Sequence, residues 1–302
     1  MNNYYLIKKD ILYTVYVYFI SYMKEKIINY LLNSPLVRFK IIILVGRVLR
    51  SLSKSNFVEI EGRKMFVHGN DGFALSIFKV YEPEQTEVVK KFVKAGDIVI
   101  DIGAHVGYYT LLFAQIVGNK GKVYSFEPDP ENFKLLKKNI EINGFQNVIL
   151  EQKAISNENE KVQLFIDKEN RGENRIYDAK MNDTNESIQV ESVRLDDYFQ
   201  NFKQEINFIK IDAEGSELDI FCGMTSIIGK NSNLKIITEY FPFLIKKFGV
   251  EPKEFIHSLS ELGFQLYDIL DESKINKFID INNFSEKSVT EKYCTNIFCI
   301  KE

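Results

Sequence analysis

A glycine-containing turn and an acid about twenty residues beyond its start carry the residue types that could bind a nucleotide. Residues 98–102 predict a buried strand, Gly103 to Gly107 a turn and residues 108–117 a helix, and the next strand ends in Glu127. This is the order of a parallel β–α–β nucleotide-binding unit. Glycine lets the chain turn sharply and lets a ligand approach the backbone. A carboxylate can accept both hydroxyl hydrogens of a ribose.

The same turn indicates which kind of nucleotide it binds. A dinucleotide fingerprint that begins at Gly103 needs glycine at positions 105 and 108, where the chain has His105 and Tyr108. A side chain at the middle position would obstruct the close approach of a pyrophosphate. Asp101, taken as the last residue of the first strand, would repel phosphates. The pattern therefore favours a nucleoside with a cationic tail, such as S-adenosylmethionine, over a dinucleotide.

Acids recur where other predicted strands end. The fourth strand, residues 206–212, ends in Asp212 with Glu214 just beyond it, and the fifth, residues 234–239, ends in Glu239. Ligands of open parallel sheets bind beyond the carboxyl ends of the strands. Like charges that converge there repel one another. We therefore expect a cationic or polyhydroxylated ligand at this edge.

The composition narrows the class of protein and its partners. The chain has 302 residues, of which 45% are hydrophobic and 27% charged, and a net charge of −3, which predicts a globular protein without a nucleic-acid partner. Three cysteines without a CxxC pair and three scattered histidines predict no disulfide framework and no metal site. Free cysteines favour a reducing compartment, so we expect a cytoplasmic protein.

Three hypotheses stay open for residues 1–55, which contain two apolar runs at 11–23 and 41–45. Both runs are shorter than the roughly 20 residues that span a bilayer. We expect a helical segment packed on the following domain. The main alternative is peripheral contact of tyrosine-rich helices with the cytoplasmic face of a membrane, and a true span is the third.

The rest of the chain predicts an α/β fold. Short β segments at 56–80 form a small β extension, and strands alternate with helices through residues 81–302. This alternation predicts a doubly wound, mostly parallel, seven-stranded sheet with helices on both faces. Two extra β segments, at 161–166 and 188–195, interrupt it. The polar stretch between them predicts a loop that either covers a substrate or is disordered surface.

The chain resembles the FkbM family of S-adenosylmethionine-dependent methyltransferases over residues 81–240. The segments that carry the resemblance are, in order, IDIGAHVGYYT, VYSFEPDPENFKLLKKNI, KAIS, VRLDDYF, FIKIDAEGSELDIFCG and IITEY. It departs from many relatives in having His105 where they have asparagine. The resemblance implies a Rossmann-like class I methyltransferase fold with S-adenosylmethionine as the cofactor.

The resemblance also implies roles for individual residues around the cofactor. The implied cofactor-binding residues are Asp101, Gly103, Ala104, His105 and Gly107 around the methionine part, Glu127 and Pro128 at the ribose, and Lys153 and Ala154 beside the adenine. Family members methylate hydroxyl groups on sugars, lipid-linked glycans or polyketides. The expected partner is therefore a small-molecule or glycan hydroxyl, and the oligomeric state has no prediction.

Transfer to a hydroxyl needs in-line attack on the methyl carbon, and a base that accepts the hydroxyl proton accelerates it. Asp212 is the first candidate for the catalytic base and Glu214 the second, with hydrogen bonding to substrate as the alternative role of both. His105 is a remote third candidate. Glu239 and Glu82 are the candidate substrate-binding residues.

Other side chains near these candidates have ordinary structural roles in this prediction. Glu217 is expected to be an acid in the first turn of a helix, and Tyr108 and Tyr109 are expected to pack within one.

Two other classes of function compete with the methyltransferase. They are an NAD(P)-dependent oxidoreductase and a catalytically silent, membrane-associated scaffold.

Overall fold

The computed structural model describes residues 57–68, 79–167, 171–176, 186–269 and 293–301. The predicted N-terminal helical segment and most of the third segment of the β extension lie outside the described residues, so the predicted domain boundaries stay predictions. Within those ranges no helix is both long enough and apolar enough to cross a membrane.

Seven strands of the described chain form one sheet. The strands of the chain are β1 Val58–Ile60, β2 Arg63–Met65, β3 Ile98–Ile102, β4 Lys122–Phe126, β5 Val148–Glu151, β6 Ala154–Ile155, β7 Lys161–Phe165, β8 Ser187–Val193, β9 Phe208–Ile211, β10 Lys235–Tyr240, β11 Phe264–Asp268 and β12 Thr295–Lys301. The sheet order is β11-β12-β10-β9-β3-β4-β5. β12 runs antiparallel to both neighbours, and the pairs on the β9, β3 and β4 side are parallel.

Helices cover both faces of this sheet. The helices are α1 Pro83–Phe92, α2 Tyr108–Val117, α3 Pro130–Asn143, α4 Leu195–Tyr198, α5 Glu217–Cys222, α6 Thr225–Lys230, α7 Pro242–Lys247 and α8 Pro252–Glu261. Ile100 and Ile209 pack on one face with residues of α5, α6 and α8. On the other face the ring of Phe113 in α2 lies 5.8 Å from that of Phe208. The sheet and its helices confirm the predicted Rossmann-like, doubly wound fold.

Local sequence explains the elements that carry the candidate residues. All five residues of β3 are buried, as expected for a central parallel strand. Helix α3 begins after Asp129, whose side chain accepts hydrogen bonds from two backbone N–H groups of its first turn, and Pro130 occupies the first helical position. It ends at Gly144, which has a φ of 69°.

Two smaller sheets flank the main one. The extra β segments form an antiparallel pair, β7 and β8, and β6 joins β8 in parallel. The second segment is shorter than predicted, because Leu195 is fully buried and begins α4 instead of extending β8. The β1–β2 hairpin confirms part of the β extension. Two side chains of α3 hydrogen-bond the backbone of this hairpin region. Asn143 contacts Lys64 of β2, and Asn139 contacts Phe66 just after it.

Candidate functional site

Glu127 follows β4 directly and is held by backbone groups. Its Oε2 accepts a hydrogen bond from the His105 N–H at 2.8 Å. Its Oε1 accepts one from the Asp129 N–H at 2.9 Å and one from the Asn132 Nδ2 at 3.3 Å. Burial raises the pKa of Glu127 to about 7, against the effect of these hydrogen bonds. Since each carboxylate oxygen has two lone pairs, Oε2 can still accept a ligand hydroxyl.

Part of the predicted polar loop lies against Glu127 and Asp129. Asp129 Oδ2 accepts hydrogen bonds from Arg171 Nη1 at 2.7 Å and from Asn174 Nδ2 at 2.6 Å. Asn132 Nδ2 donates to the Arg171 carbonyl at 3.1 Å. Residues 171–176 belong to the polar stretch after β7, so this part of it is ordered by the buried Asp129. Nothing in its local sequence marks this long-range pairing.

The turn between β3 and α2 contacts two acidic parts of the site. These are the Glu127 end, through the His105 N–H, and the Asp212 end, through Gly103. Gly103 has a φ of 73°, and a Cβ atom there would lie 1.8 Å from the carbonyl oxygen of Asp212. The glycine is therefore required by the contact between two loops, which differs from the expected approach of a ligand. Gly107 has a φ of 95°, and a Cβ atom there would lie 2.6 Å from Leu136 Cδ1. Ala104 is buried, and its N–H donates to the Phe126 carbonyl.

His105 adopts a left-handed backbone conformation, with a φ of 50°. Its ring centroid lies 5.9 Å from that of His68. Burial, and then the neighbouring His68, lower the pKa of His105 to about 3. An imidazole with so low a pKa is a weak proton acceptor at neutral pH. This disfavours His105 as the catalytic base and leaves its backbone N–H, which binds Glu127, as its visible contribution.

Asp101 lies one residue inside β3 and not at its end. It is fully buried, and its Oδ2 accepts a hydrogen bond from Thr110 Oγ1 at 2.6 Å. Its Oδ1 has no hydrogen-bond partner among the described residues. Burial raises the pKa of Asp101, and the nearby ammonium of Lys210 opposes that effect. A buried acceptor without a donor fits a ligand that brings an ammonium group.

Lys210 is the functional candidate that the sequence analysis missed. It pairs in register with Asp101 across β9 and β3, so both side chains lie on the same face of the sheet. Only 2% of Lys210 is exposed, and its Nζ lies 2.9 Å from Asp212 Oδ2. The Nζ also lies 4.8 Å from the ring centroid of Tyr109. A lysine inside the apolar strand FIKI is the signal that could have identified it.

Three of the predicted strand-end acids meet at the edge of the sheet. One carboxylate oxygen each from Asp212, Glu214 and Glu239 lies within 4.8 Å of the other two. Glu239 Oε1 accepts a hydrogen bond from the Cys294 thiol at 3.1 Å. Burial, and then the charge of Asp212, raise the pKa of Glu239 well above its ordinary value. Carboxylates at this spacing could also hold a hard cation, which the sequence did not predict.

Glu82 joins this group from outside the sheet. It stands at the N-cap of α1 with a φ of 43°, yet its side chain makes no capping hydrogen bond. Its Oε2 instead accepts a hydrogen bond from the Tyr109 hydroxyl at 3.1 Å. Burial, and then the charge of Asp212, raise the pKa of Glu82 to about 7. Tyr109 thus contacts a carboxylate in addition to the packing role expected for it.

Glu217 shapes the loop that carries two of these acids. Its Oε1 accepts hydrogen bonds from the backbone N–H groups of Ala213 and Gly215, each at 3.2 Å. It does lie in the first turn of α5, as predicted, but only 2% of it is exposed. Burial raises the pKa of Glu217 to about 7. Its role is to fold residues 213–215, which an ordinary surface acid would not do.

Two of the predicted cofactor residues lie at the three-stranded sheet, Lys153 just before β6 and Ala154 within it. Lys153 Nζ is 3.9 Å from Glu191 of β8, and Lys153 lines a cavity of about 450 Å³ with Tyr198. Ala154 pairs with β8 as part of β6. Pro128 is half-buried between Glu127 and the helix cap. The β3–α2 turn therefore connects the Glu127 end with the Asp212 end. Lys153 lies apart from both and forms an ion pair with Glu191.

Comparisons with known proteins agree with this architecture. Residues 101–266, more than half of the chain, match the model of the methyltransferase FkbM domain. "Methyltransferase 1" of Beauveria bassiana is 24% identical over 145 residues, which cover 42% of this chain and 57% of that protein. "Protein-L-isoaspartate O-methyltransferase 1" of Archaeoglobus fulgidus is 37% identical over 57 residues, which cover 19% of this chain and 26% of that protein. The chain thus spans less than two thirds of either relative.

A solved structure of an FkbM methyltransferase, from Methylobacillus flagellatus, is 12% identical to this chain. The superposition has a TM-score of 0.42 and covers 75% of this chain and 52% of that one. At such a TM-score the family assignment depends on the domain match. That match includes the β3–α2 turn, Glu127, Asp212 and Glu239. The chain belongs to the FkbM family of S-adenosylmethionine-dependent methyltransferases.

Proposed function

We propose that this methyltransferase transfers the methyl group of S-adenosylmethionine to a hydroxyl group on a sugar, a glycan or a related hydroxylated metabolite. The observation that carries the proposal is the convergence of Asp212, Glu214 and Glu239, with carboxylate oxygens within 4.8 Å of one another. Carboxylates accept hydrogen bonds from hydroxyl groups. Several of them at one place fit an acceptor with several hydroxyls better than an apolar one.

The cofactor residues follow from the two ends of the site. Glu127 binds a ribose hydroxyl through the lone pair of Oε2 that its other hydrogen bonds leave open. Asp101 Oδ1, buried and without a partner among the described residues, accepts from the ammonium of the methionine part. Gly103, Ala104, His105 and Gly107 line the cofactor with their backbone. Pro128 borders the ribose. Lys153, which forms an ion pair with Glu191, flanks the adenine together with Ala154.

Asp212 is the proposed catalytic base, with Glu214 second. When bound, S-adenosylmethionine would supply an electrophilic methyl group on its sulfonium sulfur. Asp212 hydrogen-bonds the acceptor hydroxyl and takes its proton as the oxygen–methyl bond forms and the sulfur–methyl bond breaks. Lys210 holds Asp212 Oδ2 at 2.9 Å, which leaves Oδ1 for the acceptor. Glu239 and Glu82 bind further hydroxyls of the acceptor.

The relatives support oxygen as the receiving atom only in part. The protein of Archaeoglobus fulgidus is named as an O-methyltransferase, and it aligns over 57 residues. The stronger support is chemical, because the described acids near Asp212 provide a proton acceptor that an alcohol needs. An aromatic acceptor would need different neighbours.

Isothermal titration calorimetry tests the cofactor first. The full chain should bind S-adenosylhomocysteine and should not bind NAD, and the reverse result would contradict the proposal. A screen with methyl-radiolabelled S-adenosylmethionine then tests the acceptor, with cell-envelope glycans, free sugars and proteins as substrates. Base-stable label on a sugar supports an ether product, whereas label on protein side chains alone contradicts the acceptor class.

A further inference from the structure

Lys210 is a buried lysine that hydrogen-bonds an acid at the Asp212 end, with its Nζ 2.9 Å from Asp212 Oδ2. Its side chain leaves a strand whose other residues are Phe208, Ile209 and Ile211, all buried. A buried ion pair is weak evidence for stability, because apolar residues of similar volume often stabilise a core as well or better. The retention of a charge here calls for another explanation.

The ammonium of Lys210 lies among groups that carry or share negative charge. The titratable groups that face it or Glu82 are Asp101 of β3, Glu82 and Tyr81 before α1, His105 of the turn, Tyr109 of α2, Asp212 after β9 and Glu239 of β10. The amide side chain of Asn296 on β12 hydrogen-bonds Glu82 as well. The ammonium of Lys210 therefore interacts electrostatically with three carboxylates, those of Asp212, Asp101 and Glu82.

We propose that Lys210 is a positioning residue of the methyl-transfer site, whose buried ammonium orients the Asp212 carboxylate toward the acceptor and offsets the charge that Glu82 and Asp101 add. This inference rests on the proposed function, because it concerns the same acceptor. It explains how an acidic edge receives a neutral hydroxyl without requiring a cation from the acceptor. The acidic residues then act as hydrogen-bond acceptors of fixed orientation.

Two opposing neighbours of Glu82 make the idea testable without knowing the acceptor. The charge of Lys210 lowers the pKa of Glu82, and the charge of Asp212 raises it. An opposite charge within a few ångströms shifts a carboxyl pKa by about one unit or more. Removal of Lys210 and removal of the Asp212 charge should therefore move the ionisation of Glu82 in opposite directions.

Carbon-13 NMR of glutamate-labelled full-length protein measures this ionisation, with Glu82→Gln to assign the signal. Lys210→Met should raise the Glu82 midpoint by about one pH unit or more, Lys210→Arg should restore it, and Asp212→Asn should lower it. Lys122→Met, which removes an exposed lysine of β4, is the matched control and should leave it unchanged. An unchanged midpoint in Lys210→Met would overturn the proposal.

A second measurement covers the case in which Lys210→Met fails to fold. Nitrogen-15 NMR of labelled lysines should show a Lys210 ammonium signal that shifts in both Asp212→Asn and Glu82→Gln, while that of Lys122 stays constant. A Lys210 signal that neither variant moves would also overturn the proposal. Calorimetry with S-adenosylhomocysteine on the wild type tests the enzyme class separately, so the two failures are distinguishable.

Discussion

The Glu127 end and the Asp212 end of the site both present carboxylates, but they hold them in different ways. Glu127 accepts hydrogen bonds from the backbone N–H groups of His105 and Asp129. Asp212 is held by the side chain of Lys210. Backbone donors fix the orientation of the Glu127 carboxylate. The ion pair of Asp212 with Lys210 lies among other acids, so the charge of each carboxylate there depends on its neighbours. The first arrangement suits an invariant cofactor part, and the second suits a group that moves a proton.

The largest expected effect is on turnover at the Asp212 end. Asp212→Asn keeps the size of the side chain but removes the proton acceptor, so we expect kcat for methyl transfer to fall by about 10²–10⁴-fold. Affinity for S-adenosylhomocysteine should change far less, since the proposed cofactor contacts lie elsewhere. Steady-state kinetics and calorimetry check the two parts. Equal losses in both would make Asp212 a cofactor ligand.

Glu214→Gln distinguishes the two candidate bases. If Asp212 is the base, Glu214→Gln should mainly raise KM for the acceptor, because it weakens one hydrogen bond to a hydroxyl. A larger loss of kcat in Glu214→Gln than in Asp212→Asn would reverse the assignment. Glutamine has the same length and branching as glutamate. The substitution should therefore add no strain to the left-handed backbone of Glu214, which has a φ of 53°.

The pH dependence of stability probes the loop at the same end. Burial raises the folded-state pKa of Glu217 from 4.5 to about 7, so its neutral form is favoured in the folded protein. This stabilising contribution is complete below pH 4.5 and is lost as the pH rises through about 7. Relative to wild type, Glu217→Gln should therefore gain on the order of 3 kcal/mol in unfolding free energy between pH 4 and pH 8.

Urea denaturation at a series of pH values measures that difference. Glu254→Gln, which changes an exposed acid in the first turn of α8, is the matched control and should show no such gain. If Glu217→Gln follows wild type at every pH, then Glu217 does not titrate as a buried acid, and the loop at 213–215 is held in another way.

The Glu127 end should respond in affinity and not in chemistry. Glu127→Ala removes the proposed charged hydrogen bond to a ribose hydroxyl, so it should weaken S-adenosylhomocysteine binding by about 1.5–3 kcal/mol. Glu131→Ala, an exposed acid one turn away on α3, should leave the affinity near that of wild type. Calorimetry measures both variants. Wild-type affinity in Glu127→Ala would rule out the ribose role.

The same contrast explains how much the sequence could predict. The β3–turn–α2 unit was predicted almost residue for residue, because burial and the glycines are local signals. The parallel order followed from the alternation of strands and helices. Glu127 was identified because its position in a β–α–β unit determines what it can contact.

The Asp212 end depends on contacts between residues far apart in the chain. The strand-end acids were predicted as a group, but the pairing of Lys210 with Asp212 requires knowing that β9 lies beside β3. The hydrogen bond between Glu82 and Tyr109 joins the N-cap of α1 to α2. Arg171 meets Asp129 across 42 residues. Such pairs have no periodicity that a single sequence shows.

The smallest expected effect is on stability, at the hairpin that supports the turn. Asn139 is fully buried, and its Nδ2 donates to the carbonyls of Val106, in the turn, and of Phe66. Asn143 makes the equivalent pair of hydrogen bonds with Lys64 at an exposed position. Asn139→Ala should lower the unfolding free energy by about 1–2 kcal/mol, and Asn143→Ala by about 0.5 kcal/mol, because only the buried groups lose water as an alternative partner.

Urea denaturation of the two variants measures this difference, and calorimetry shows whether it reaches the site. Because Val106 adjoins His105, whose N–H binds Glu127, Asn139→Ala should also weaken S-adenosylhomocysteine binding slightly, while Asn143→Ala should not. Equal effects of both variants on binding would mean that the turn is held by β3 and α2 alone. The hairpin would then make no contribution to the geometry of the Glu127 end.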